Sequence, residues 1–89
     1  MKLVGTENAG YRITAAAEIN TQADEIFGIV IAERINKIGF DDYVTWEYNF
    51  YGVDKNVPSY YWGHYCKSEA DAVSDYRERV QRLTYIGCR

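Results

Sequence analysis

The stretch EIFGIVIAERI, Glu25 to Ile35, decides the architecture of this chain. Read as a helix, it would start at Thr21 as N-cap with Asp24 as box partner, and Glu33 and Arg34 would lie near its end. Read as a strand, it is a continuous apolar run buried on both faces. Gly28 in the interior and the β-branched trio Ile29, Val30 and Ile31 are poor helix choices, so residues 22–36 are expected to be a strand.

The flanking segments agree with a sheet. Upstream, Tyr11, Ile13, Ala15, Ala17 and Ile19 alternate with Arg12, Thr14, Ala16, Glu18 and Asn20, the period of a half-buried strand. Residues 20–24 are polar and suit a turn. Downstream, Ile35 to Asp42 connects through Gly39 and two closing acids. In YVTWEYNFY, Tyr43 to Tyr51, the residues Val44, Trp46, Tyr48 and Phe50 oppose Thr45, Glu47, Asn49 and Tyr51. GVDKNVP, Gly52 to Pro58, is turn chemistry. SYYWGHYC, Ser59 to Cys66, reads as a further strand with Tyr60, Trp62, His64 and Cys66 on one face and Tyr61, Gly63 and Tyr65 on the other. Ser68 is an N-cap with Asp71 as its box partner, and Ala72, Val73, Tyr76, Val80 and Leu83 recur at helical spacing. The helix is expected over 69–84, with an acidic first turn and a basic last one. The pairs Asp75–Arg79 and Glu78–Arg82 are expected on its outer face. The expected fold is α+β: an antiparallel four-stranded meander with a C-terminal helix packed on one face. If 22–36 were helical, it would become β-α-β-β-α with three strands.

Composition bounds the function. With 89 residues the chain is expected to be a single domain, 1–89, and its small core suits one sheet under one helix. Ten Lys and Arg against thirteen Asp and Glu give a net charge of −3, so direct nucleic-acid binding is not expected. No run is long and apolar enough to span a membrane, and no apolar h-region follows Lys2, so neither a membrane span nor secretion by signal peptide is expected. Cys66 and Cys88 are too few for a disulfide framework, and a reducing cytoplasm is the expected compartment.

The aromatic content is the sharpest chemical signal: 16% of the chain, including nine Tyr, concentrated between Tyr43 and Tyr65. One helix cannot cover both faces of a sheet, so Tyr51, Tyr61 and Tyr65 are expected at the surface, where such rings serve as interface anchors. Cross-strand ladders that merely stabilise the sheet are the competing reading. The acidic turns at Asp24, Glu25, Asp41 and Asp42 would complete the contact surface. His64 is the only histidine, and its sequence neighbours supply neither nucleophile nor orienting carboxylate. A structural or hydrogen-bonding role is expected for it. His64, Cys66 and Cys88 match no trusted zinc spacing, so no metal, cofactor or catalytic residue is assigned.

The segments YVTW (Tyr43 to Trp46) and YYWGHY (Tyr60 to Tyr65), with the helix bearing Ala72, Asp75 and Arg79, resemble a group of small uncharacterised proteins of bacterial mobile elements and prophages. The resemblance covers under half the chain and transfers no activity or functional residue. It implies a context in which short acidic proteins bind host machinery stoichiometrically, CRISPR nucleases included. The expected function is therefore a non-enzymatic module that binds a host or partner protein, for instance an inhibitor of a nucleic-acid-binding defence enzyme. The alternative is a small-molecule or nucleotide binder that uses exposed Tyr and Trp rings, with homodimerisation open in either case.

Overall fold

The computed structural model describes residues 3–22, 25–50 and 57–87, and the side chains of these except 20–22, 25, 26 and 84–87. Among the described residues the strands β1 (Glu7–Asn8), β2 (Tyr11–Gln22), β3 (Glu25–Arg34), β4 (Tyr43–Asn49) and β5 (Ser59–Cys66) precede one helix, α1 (Glu69–Gly87). Every pair is antiparallel, and the sheet order is β1-β2-β3-β4-β5. The expected four-stranded meander is thus corrected to five strands. The three-stranded alternative falls because Glu25–Arg34 is extended. The added strand is two residues long, too short for alternation to register in the sequence. It folds back on Tyr11 and Arg12 through Ala9 (φ 52°) and Gly10 (φ 85°), two successive left-handed residues of the kind tight hairpins require.

β3 is central, paired with β2 and β4, and both of its faces are covered. Val30 and Ala32 are buried on one side, Ile29 and Ile31 on the other, which accounts for the uninterrupted apolar run. The first of these faces is the inside of a curl. Strands three apart in a flat sheet lie about 14 Å apart. Yet the Tyr11 ring of β2 is centred 6.1 Å from Tyr65 of β5, and 5.5 Å from Trp46 of β4. The sheet therefore bends into a half-barrel whose hollow is filled by its own rings, with Leu3, Ile13, Val44 and Tyr48 completing the cluster. Each such side chain contributes about 1.5–3 kcal/mol by leaving water.

Two bulges reset the alternation read from the sequence. In β2 the pairing jumps from Ile13↔Ala32 to Ala15↔Ile31 and skips Thr14. Tyr11 and Ile13 consequently face the hollow, whereas Ala15, Ala17 and Ile19 face the other way with Ile31 and Ile29. In β5 the pairing jumps from Thr45↔His64 to Glu47↔Tyr61, leaving Trp62 and Gly63 together opposite Trp46. Tyr60 and Tyr65 share the hollow; Tyr61, His64 and Cys66 share the outer face. The single alternations expected for 11–20 and 59–66 are corrected accordingly.

The helix packs on the outer face. Ser68 Oγ accepts the Asp71 amide at 3.2 Å, the capping contact expected there. Ala72 is fully buried against the sheet. The helix runs on to Gly87, beyond the expected end at residue 84, so its last turn carries no cation and the expected basic end is corrected. Glu78 and Arg82 pair on the exposed side at 2.7 Å. Asp75 and Arg79 instead turn toward the sheet and take partners on β4 and β5.

Candidate functional site

The connection from β3 to β4, residues 35–42, is built around one carboxylate. Asp42 is only 7% exposed. Its Oδ1 accepts the Ile38 amide at 2.9 Å and its Oδ2 the Gly39 amide at 2.8 Å, while Arg34 Nε donates to Oδ1 at 3.3 Å. The Ile38 amide bond is the largest cause holding the Asp42 carboxyl below its ordinary range, and the Gly39 amide and Arg34 act in the same direction against burial. Arg34 Nη2 also donates to the carbonyls of Phe40 and Asp41 and to the Tyr11 hydroxyl, which itself donates to Asp41 O at 2.6 Å. The Arg34 guanidinium lies 4.8 Å from the centre of the Tyr11 ring. Gly39 and Asp41 are left-handed, with φ of 80° and 49°.

This framework holds two apolar side chains in water. Ile38 is 66% exposed and Phe40 65% exposed. Tyr65 is 53% exposed and reaches the same end of the sheet through its contact with Tyr11. Two large apolar groups on a backbone fixed at both carbonyls and amides are ready-made contact points, because little further ordering is needed on binding.

The residues expected at the contact surface divide. Asp41, Asp42 and Tyr65 gather around Tyr11, with Asp42 committed to its own loop. Tyr61 is half-buried on the outer face, where its hydroxyl accepts from Asn49 Nδ2 at 3.2 Å. Glu25 begins β3 at the end of the sheet opposite Asp41, separated by a strand about 30 Å long, so the two acidic turns do not form one surface. Asp24 and Tyr51, like Cys88, lie outside the described residues, as does the side chain of Glu25. Ile38 and Phe40 were missed because apolar residues in a turn segment carry no periodicity; their signal was the pair of large apolar residues flanking Gly39.

A second constellation lies between β4, β5 and α1. Arg79, 7% exposed, donates through Nη1 to Thr45 Oγ1 at 2.9 Å and to Thr45 O at 3.2 Å, and its Nη2 lies 3.6 Å from Glu47. Thr45 Oγ1 donates to Asp75 Oδ2 at 2.5 Å, and both Asp75 oxygens lie 3.0 Å from His64 Nδ1. His64 thus gains the orienting carboxylate that its sequence neighbours lacked, from a helix residue eleven positions on. Among the described residues nothing bonds its Nε2. The Thr45 hydroxyl is turned to Asp75 and the Cys66 thiol to the His64 carbonyl, so neither is placed as a nucleophile on the ring. Burial, reinforced by Asp75, Asp71 and Asp41, pushes the Cys66 thiol up and leaves it a poor nucleophile at neutral pH.

Among the described residues no group of three His, Cys, Asp or Glu side chains gathers as a metal site, and no helix is long and apolar enough to cross a membrane. No family model, curated protein or solved structure matches this chain.

Proposed function

We propose that the protein is a non-enzymatic interaction module that docks a partner protein through the 35–42 loop and Tyr65. One observation carries this reading: Ile38 and Phe40 are displayed at 66% and 65% exposure on a loop whose turn is fixed by Asp42, Arg34 and Tyr11. Exposed rings and aliphatic groups on a pre-ordered backbone are the usual source of interface hot spots. Asp41 beside them supplies a negative rim, and the −3 net charge favours a basic partner surface. Strand addition at β5 is a poorer mode of binding, because the Trp62–Gly63 bulge interrupts that edge. The inhibitor of host defence rests on the mobile-element resemblance alone.

The test compares tagged wild-type protein with an Ile38→Asp/Phe40→Asp double variant in capture from bacterial lysate, at physiological salt and at about 0.5 M, where exposed charges are screened. A specific protein retained by the wild type and lost by the double variant is the expected result. Equal capture by both would sink the loop as the docking surface, provided circular dichroism shows both folded.

A further inference from the structure

A cleft of about 200 Å³ opens on the outer face, away from the 35–42 loop, between β5 and the second half of α1. Ile29 and Leu83 give it apolar walls, and Trp62 and His64 border it from β5. Trp62 is the unusual member. It is 71% exposed and sits at φ 56°, a left-handed conformation that a bulky side chain adopts only under strain. The next residue must be glycine, because a Cβ at Gly63 would stand 2.9 Å from Trp46 Nε1. The bulge therefore costs stability locally and turns an indole toward the cleft rather than into the hollow.

We infer that this cleft binds a single neutral nucleobase, stacked on Trp62 and hydrogen-bonded to His64 Nε2 and Arg82. Size sets the first limit. A cavity of about 150 Å³ takes benzene and drug-sized ligands need about 300–1,000 Å³, so one base with its polar edge fits and a whole nucleotide does not. Charge sets the second. Arg79 is matched by Glu47, and Arg82 by Glu78, with Asp75 behind His64, so the lining has no cationic surplus to hold a phosphate. Hydrogen-bond pattern sets the third. In the tautomer that donates Nδ1–H to Asp75, Nε2 of His64 is an acceptor. Arg82 is exposed and among the described residues pairs at the surface with Glu78, so its other N–H groups are donors within reach of a ligand. A ring edge that carries a donor beside an acceptor complements both, which simple arenes do not.

The experiment titrates adenine and cytosine into the full chain and follows the two indole N–H resonances by NMR, with buried Trp46 as the internal reference for Trp62, and the backbone amides of Gly63 and Leu83 as reporters present in every variant. Saturable shifts at Trp62 are expected, with benzyl alcohol binding about tenfold more weakly because it has one hydroxyl and no paired edge. Trp62→Gly relieves the backbone strain, so it folds, and it weakens adenine about tenfold or more by removing the stacking partner. His64→Ala weakens it about fivefold. The Ile38→Asp/Phe40→Asp variant binds adenine unchanged, which separates this site from the docking loop. Absence of a saturable shift, equal binding by Trp62→Gly, or equal binding of benzyl alcohol would each overturn the assignment. A short oligodeoxyadenylate is expected to bind no tighter than adenine, since the acidic protein repels its phosphates; tighter binding would overturn the free-base reading.

Discussion

The two faces of the sheet are held together by different physics. The hollow is closed by rings and aliphatic groups: Tyr11 meets Trp46 edge-on at 5.5 Å, Tyr48 meets Phe50 edge-on at 6.0 Å, and Val30, Ala32 and Val44 are wholly buried beneath them. The outer face places Ala72, Ile29 and Ile31 beside a polar chain that runs from Glu47 through buried Arg79 and Thr45 to half-buried Asp75 and exposed His64. Apolar packing is non-directional and tolerates approximate fit, whereas a hydrogen-bonded polar chain fails as a unit when one link is removed. The hollow therefore supplies most of the stability, and the outer face fixes the orientation of particular side chains.

The largest test strikes where the faces share a backbone. A Cβ at Gly28 would lie 1.9 Å from the Ala17 carbonyl oxygen and 2.9 Å from Tyr48 Cε1. Gly28→Ala must part β2 from β3, so a loss above about 4 kcal/mol is expected in urea unfolding, enough to leave little folded protein. Arg79→Ala comes next. It strips Thr45 O and Thr45 Oγ1 of their buried donor and leaves Glu47 unpaired, for an expected loss of about 3 kcal/mol. Its signature beyond stability is a shifted His64 ring resonance, as Asp75 and Thr45 lose their anchor; an unmoved resonance would show that the chain does not act as a unit.

Tyr11→Phe sharpens the contrast from the side of the hollow. The ring contacts with Trp46 and Tyr65 stay, while Asp41 O loses a donor and Arg34 an acceptor. About 1–1.5 kcal/mol is expected, together with faster amide exchange at Ile38 and Gly39.

The remaining tests use pH, and they fall at opposite ends of the scale. Burial is the main cause that pushes Tyr48 up to about 12, with Glu18 adding, and it also raises Tyr11, Tyr60 and Tyr76. A folded-state value above the unfolded 10.0 means this stability is whole below pH 10 and is lost as pH rises toward about 12. Asp42 behaves inversely. Its folded value lies below 3.8, so its contribution is present above that pH and lost as the solution is acidified through the lower folded value. Tryptophan fluorescence should report alkaline loss of the hollow, and amide exchange at Gly39 should report acid loosening of the loop. A Tyr48→Phe variant whose alkaline midpoint does not rise would contradict the first.

Much of this was legible in the chain alone. The β-branched run from Ile29 to Ile31, the alternation of Val44, Trp46 and Tyr48, and the Ser68 cap are local signals, and local sterics and hydrogen bonds determine them wherever the chain folds. β1, the two bulges and the curl were not legible. Each depends on which residue faces which across strands, and Thr14 and Trp62 look like ordinary members of an alternation until the register skips them. Gly63 was a hint to the second bulge, since an isolated glycine in a strand often marks one, though Gly28 in β3 marks a close approach of β2 instead.

The sites divide in the same way. Sequence by itself determined that rings, acids and a lone histidine were present, and that the net charge was −3. Tertiary structure alone decided that Asp42 serves its own loop, that Ile38 and Phe40 stand in water, and that Asp75 orients His64. Asp75 meets His64 only because the helix packs on the curled sheet, and the loop is fixed only when Tyr11 and Arg34 reach it from β2 and β3.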